Sequence, residues 1–167
     1  MDFKKLIPDF GAIAKTEWAK PHIDTKDKNW LVLAGAALLM VVFSFIPWVS
    51  ISMAEVLSDS AIGLSTWVGL VYFLFALVAV YGVLYNQKSF VFCGAALAAV
   101  LALIGCLYVP EFQVTEFGQS VVYTAQDLRE LEVLGIVKIG HIGAILSLVA
   151  SLATAAVAFL QIKKENE

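Results

Sequence analysis

The sequence predicts an all-α membrane protein: a four-transmembrane-helix bundle, with an amphipathic interfacial helix at the N-terminus and a small hairpin and helix in one outer loop. Three observations carry this reading. Of 167 residues, 60% are hydrophobic and only 15% charged, against about half and a quarter in an ordinary soluble domain. The mean hydropathy is +0.85. The apolar residues also gather into four blocks of about twenty, the length that crosses about 30 Å of hydrocarbon. Such a composition excludes a soluble enzyme and a disordered linker, and a net charge of −3 lacks the basic footprint of a nucleic-acid binder.

Taken in order, residues 1–29 come first. Phe3, Leu6, Ile7, Phe10, Ile13, Ala14 and Trp18 recur at spacings of three and four, which places them on one side of a helix. Pro8 fits a first turn and Pro21 ends the stretch, so the expectation is a helix lying on the inner leaflet or docking a cytoplasmic partner. The four blocks follow at 30–49, 66–85, 90–109 and 142–162, and none contains Asp, Glu, Lys or Arg. Hydrocarbon cannot solvate backbone amides, so each block must bond internally as a helix. Strand alternation is absent, which argues against a barrel. The first apolar stretch starts at residue 30 and is too long for a signal-peptide core, so it is expected to stay as a signal anchor.

Lysine and arginine set the orientation. Nine of the eleven lie in 1–29, at Lys88, or in the tail 163–167, whereas loops 50–65 and 110–138 hold only Arg129 and Lys138. The positive-inside rule then places both termini in the cytoplasm. The outer loops carry seven carboxylates: Glu55, Asp59, Glu111, Glu116, Asp127, Glu130 and Glu132. Trp18, Trp30, Trp48 and Trp67 are expected as interfacial anchors, since indole rings favour the headgroup level. A bacterial cytoplasmic membrane is the expected location.

The loop 110–138 is the largest outer segment. Phe112 to Thr124 suggests a hairpin turning near Gly118. Thr124 with Asp127 three residues on resembles a helix start, after which Leu128, Leu131 and Leu134 line one face of a short helix. This loop is expected to fold back as a lid or to meet a partner, with Asp127, Arg129, Glu130 and Glu132 as the possible partner surface. Glu55 and Asp59 would share a face if the first loop were helical; as two carboxylates they make a poor calcium site and read as a solvated acidic face.

Inside the bundle, Gly94, Ala98, Ala102 and Cys106 form one small-residue row and Gly143, Ser147, Ser151 and Ala155 another. Such rows let helices approach closely, within the chain or between subunits. The tetrapeptide Gly-Ala-Ala-Leu occurs at 35–38 and 94–97, each followed by a proline, Pro47 and Pro110, which hints at a duplicated helical hairpin. The end of the first block, Phe45-Ile46-Pro47-Trp48, followed by Gly63, Ser65 and Trp67, resembles small uncharacterised four-span membrane proteins of bacteria that leave their first span through Pro-Trp. The resemblance covers about residues 30–85 and implies topology without an activity. Claudin-like and tetraspanin-like proteins share the layout, but the outer-loop cysteines they carry are missing here.

Catalytic chemistry finds few residues to use. An intramembrane carboxylate or cation is the usual mark of a proton or ion path, and the spans have none. Cys93 and Cys106 lie on one helix about 20 Å apart, too far to bond to each other. His141, at the outer edge of the fourth block, reads as an interfacial histidine and has no metal-ligand spacing with His22. No metal and no cofactor is expected. The expected role is a non-enzymatic accessory, scaffold or protective subunit that works through the bilayer, a membrane-protein partner or self-association, an immunity protein against a membrane-targeting toxin being one concrete form. The alternative is a homo-oligomeric channel or carrier for a small or apolar solute.

Overall fold

The computed structural model describes residues 7–8, 21, 23–53, 57–116 and 119–165. The amphipathic stripe expected at the N-terminus, Ile7 apart, lies outside them, as do Trp18 and Glu55. The chain is mostly helical. In order it forms α1 (Lys28–Phe43), β1 (Pro47–Met53), β2 (Leu57–Ile62), a 3-10 turn (Gly63–Ser65), α2 (Trp67–Leu84), α3 (Lys88–Leu107), β3 (Phe112–Glu116), β4 (Gln119–Tyr123), α4 (Ala125–Val133), β5 (Val137–Gly140) and α5 (Ile142–Lys164). Among the described residues, three helices, α2, α3 and α5, are long and apolar enough to cross a membrane.

These three follow directly from uncharged sequence. Small residues turn inward, as Ala76, Ala79, Ala95, Ala98, Ala102 and Ala158 are buried, while Leu74, Leu97, Val100, Leu103, Val149 and Leu160 are exposed. A continuous apolar surface of this kind suits lipid rather than water. α3 is central, packed along α2 on one side and α5 on the other. The α2–α3 turn is tight because Asn86 takes a left-handed φ of 54°. Gln87 N–H then bonds Gly82 O at 2.7 Å and Asn86 N–H bonds Val83 O at 3.2 Å, which closes the open carbonyls of the last turn of α2.

The first helix departs from expectation. α1 has 16 residues, about 24 Å of rise, and stops at Phe43 rather than running to 49. Pro47 explains the stop, because proline lacks an N–H and disfavours helical backbone at the residue before it. The freed carbonyls find other donors: Trp48 Nε1 bonds Phe43 O at 3.1 Å, and Leu64 N–H bonds Ser44 O at 3.2 Å. α1 packs on α5 and α2. Its first turn is stitched to their far ends by Trp30 Nε1 to Val83 O at 3.3 Å and Gln161 Nε2 to Asn29 O at 3.2 Å.

The described part of loop 50–65 holds paired strands and the 3-10 turn, and Asp59 lies on β2 rather than on a helix. β1 lies in the middle of a three-stranded antiparallel sheet, order β2-β1-β5. It pairs Ser50 with Ser60 and Ile51 with Asp59 on one side, and Ser50 with Gly140 and Met53 with Val137 on the other. Val49 and Ile51 are buried and Ser50 is exposed, the period of two expected of a sheet with one covered face. The expected hairpin of the second loop forms as β3–β4, from Phe112↔Tyr123 to Glu116↔Gln119.

α4 starts where the sequence places it. Thr124 and Asp127 make a reciprocal capping box, which satisfies two open donors of the first turn. It ends at Gly135, φ 73°, with Ile136 N–H on Leu131 O at 3.0 Å and Gly135 N–H on Glu132 O at 2.9 Å, a left-handed cap that favours glycine. The leucine stripe is only partly covered: Leu128 is buried and Leu131 half-buried, but Leu134 is exposed. Between α4 and α5 the chain inserts β5 instead of running straight into the fourth block.

Candidate functional site

The small-residue rows do not pair as whole rows. Gly94 lies against α2, where an added Cβ would meet Phe75 O at 2.9 Å and Ala79 N at 3.0 Å. Gly143 lies against β1, where a Cβ would meet Pro47 O at 2.3 Å. Ala98, Ala102, Ser147 and Ser151 are fully buried in helices α3 and α5, which pack along each other. The upper contact of α3 is Gly105, not Cys106, which is half-buried. At about 100° per residue, twelve residues on from Gly94 is some 120° round the helix, whereas eleven is within about 20°.

Trp48 is the main correction. A tryptophan next to a span is expected at the lipid interface, yet this one is 1% exposed. Three glycines make room for its ring. A Cβ on Gly63 would meet its Nε1 at 2.7 Å, on Gly105 its Cζ3 at 2.7 Å, and on Gly143 its Cδ1 at 3.1 Å. Trp67, by contrast, is 60% exposed, and Trp30 is half-buried. The Trp48 ring meets Tyr72 edge-on at 5.0 Å, a favourable aromatic geometry. Tyr72 in turn crosses from α2 to α5, where its hydroxyl donates to Ser147 O at 3.2 Å and lies 3.1 Å from Ser151 Oγ. Ser151 Oγ also donates to Ser147 O at 2.7 Å, and Thr154 Oγ1 to Ala150 O at 2.7 Å. In this polar seam the Tyr72 hydroxyl ties α2 to α5, while Ser151 and Thr154 donate back to carbonyls of α5 itself. Ser147 Oγ itself is buried without a partner among the described residues.

The α4 end of the molecule offers a different kind of surface. Arg129 Nη2 reaches across from α4 to bond Leu107 O at 2.9 Å, which places a cation on an open carbonyl at the C-terminus of α3. α4 therefore lies over the end of the bundle. Asp127 accepts from Thr124 N–H at 2.8 Å and Thr124 Oγ1 at 2.7 Å. These bonds, the hydroxyl's first, hold its carboxyl below the usual carboxylate range. Glu130 accepts from Gln126 Nε2 at 3.0 Å, and Glu132 is exposed. Of the four expected partner residues, Asp127 and Arg129 thus also build the fold, while Glu130 and Glu132 stay on the surface.

Beside them the structure adds Ala125 and Val133, which the sequence reading did not single out, and exposes Leu134 of its leucine face. A shallow hollow of about 710 Å³ is lined by Ala125, Gln126, Arg129, Glu130, Val133 and Leu134. Val133 is 87% and Leu134 71% exposed. The run Val133-Leu134-Gly135-Ile136 after a charged helix was the available signal, because a cap glycine flanked by aliphatic residues exposes at least some of them.

His141 precedes α5 with its Nδ1 buried and unpartnered among the described residues. Burial pushes its pKa below the ordinary value, against an upward pull from Glu132 and with a further downward push from Arg129. Cys93 and Cys106 are both half-buried. Among the described residues, no group of three His, Cys, Asp or Glu is placed to hold a metal ion. No protein-family model, curated protein or solved structure matches the chain.

Proposed function

We propose that the protein is a four-span integral membrane accessory, scaffold or protective subunit, with α1 as the fourth crossing and a partner bound on the outer face of α4. The fourth crossing is supported by the alignment of α1 with the three long helices, its first turn bonded to the last turns of α2 and α5. The turn and Pro47–Val49 extend its reach beyond the helical rise. Lys28, Lys88, Lys163 and Lys164 lie at that shared end, so the positive-inside rule makes it cytoplasmic, in a bacterial cytoplasmic membrane.

The observation that carries the role is the α4 hollow. It joins Val133 and Leu134 to Glu130 on a surface that also bears Glu132 and Asp127. An apolar centre with a charged rim is the anatomy of a protein interface, and the surplus of carboxylates selects a partner with a basic rim. The polar seam supports a role through contacts, since Tyr72, Ser151 and Thr154 direct their hydroxyls to carbonyls of α5 and so offer few donors to a solute.

Gentle detergent extraction from native membranes, followed by mass determination, tests this reading. A stoichiometric partner is expected, and Leu134→Asp should reduce its recovery about tenfold, the effect of losing about 1.4 kcal/mol of contact. As an exposed substitution, it should leave the thermal stability of the chain nearly unchanged. A clean homo-oligomer that passes a small solute across liposomes would replace this reading with a channel or carrier.

A further inference from the structure

A second cavity, of about 440 Å³, lies at the opposite end of the bundle, where the start of α1, the α2–α3 turn and the end of α5 converge. Its walls are of two kinds. Trp30, Leu33, Gly82 and Val83 supply an apolar floor, and Asp27, Asn29, Asn86, Lys88, Gln161, Lys164 and Glu165 a polar rim. Three contacts between distant segments hold the walls in place: Trp30 to Val83, Gln161 to Asn29, and the Lys88–Glu165 ion pair. The cavity is therefore a consequence of how the helix ends are tied rather than of one loop.

We infer that this cavity binds a phospholipid whose headgroup carries both a phosphate and a primary ammonium, that is, a phosphatidylethanolamine. Two cations and two carboxylates share the rim, so it is neutral as a whole. A zwitterion matches that balance, whereas an anionic headgroup would add a net negative charge beside two carboxylates. Within the rim, Lys88 is paired with Glu165, and Lys164 has no ion-pair partner among the described residues. Among the described residues, Lys164 is therefore the rim cation left to meet the phosphate. Asp27 commits one carboxylate oxygen to the cap of α1, accepting from Asn29 N–H at 2.9 Å, and its other oxygen can accept from the ammonium. A primary ammonium donates such bonds and a trimethylammonium does not, so the site distinguishes ethanolamine from choline. The Trp30 ring suits the level between headgroup and acyl chain, and Leu33 and Val83 suit the start of the lipid's apolar part. The inference rests on the placement of these helix ends at the inner membrane surface.

The test uses the full-length chain in a mild detergent. Thermal unfolding is followed with phosphatidylethanolamine, phosphatidylcholine or phosphatidylglycerol added, and with soluble glycerophosphoethanolamine, while native mass spectrometry counts retained lipid. Phosphatidylethanolamine is expected to raise Tm most and to co-purify. Lys164→Gln and Asp27→Asn should each weaken its binding about tenfold or more, the scale of one charge-assisted bond, without lowering Tm in lipid-free detergent. Asparagine caps a helix as well as aspartate does, so Asp27→Asn removes charge and keeps the fold. An equal response to the choline or glycerol lipid overturns the inference, as does a preference that survives both substitutions. Full stabilisation by glycerophosphoethanolamine alone overturns the lipid assignment in favour of a free headgroup. Membrane placement is checked separately: release of the chain by alkaline wash without detergent would sink that premise, whatever the lipid result.

Discussion

The two hairpins are both five to seven residues per strand and both outside the helices, yet they are held in opposite ways. β1–β2 continues directly from α1 and α2. β1 has a strand on each side, and Trp48 at its start fills a notch between Gly63, Gly105 and Gly143. Among the described residues β3–β4 pairs with no other strand, and Val121 and Val122 on β4 are about half exposed. An isolated two-stranded hairpin is marginal in water, so the first is stabilised by what it sends into the bundle. The second meets the core through Phe112 and Tyr123 at its base and is joined to α4. One hairpin is part of the core, and the other keeps its valines at the surface.

The largest effect that would break this contrast comes from Trp48→Ala. Removing a buried ring of that size costs about 3–5 kcal/mol, and chemical or thermal unfolding in detergent should register it. The matched change on the second hairpin, Val122→Ala, should fall within about 0.5 kcal/mol of wild type, as exposed substitutions do. Comparable losses at both sites would show that β3–β4 is packed as tightly as β1–β2.

Thr124→Ala sharpens the account of how the second hairpin is held. It removes the hydroxyl's half of the capping box at α4, leaving the Thr124 N–H on the Asp127 carboxylate, and should cost about 1 kcal/mol. Hydrogen exchange should quicken in α4 and β4 while α2, α3 and α5 keep their protection. Uniform acceleration would mean that the outer segment and the bundle open as one unit.

The smallest effect is at His141, where the sheet side of the molecule meets α5. Its folded pKa is depressed, with burial as the first cause, so the unfolded chain takes up a proton first as pH falls below about 6.5. Proton uptake by the unfolded state lowers stability on acidification, and the loss levels off below the folded pKa. His141→Gln should flatten Tm against pH in that window. A Tm that rises on acidification would show that Glu132 outweighs burial.

What the sequence made legible follows from the range of each signal. The long spans α2, α3 and α5 were readable because twenty uncharged residues admit few other solutions. The Thr124–Asp127 capping box was readable because its partners are three residues apart. β1 was missed because Val49-Ser50-Ile51-Ser52-Met53, a plain alternation, was divided between the end of a span and the start of a loop. The same holds for Val137-Lys138-Ile139-Gly140. Trp48 was misread for a different reason. A tryptophan beside a span is ordinarily interfacial, and the notch that buries this one is built from Gly63, Gly105 and Gly143, far apart in sequence. The hollow on α4 needed the end of α3, through Arg129 and Leu107, to show which side of that helix was covered.

The order of the sheet has a consequence for biogenesis. β1 is synthesised early, but one of its two neighbours, β5, arrives late; Ser50 and Gly140, which share a bond from Ser50 Oγ at 3.4 Å, are 90 residues apart. Throughout synthesis of α2, α3 and the second hairpin, that side of β1 stays open, and an open strand edge invites pairing with other chains. Closure waits on the delivery of β5, the segment just ahead of α5. A chain that stalls before residue 137 therefore leaves the ribosome with that edge of β1 unprotected.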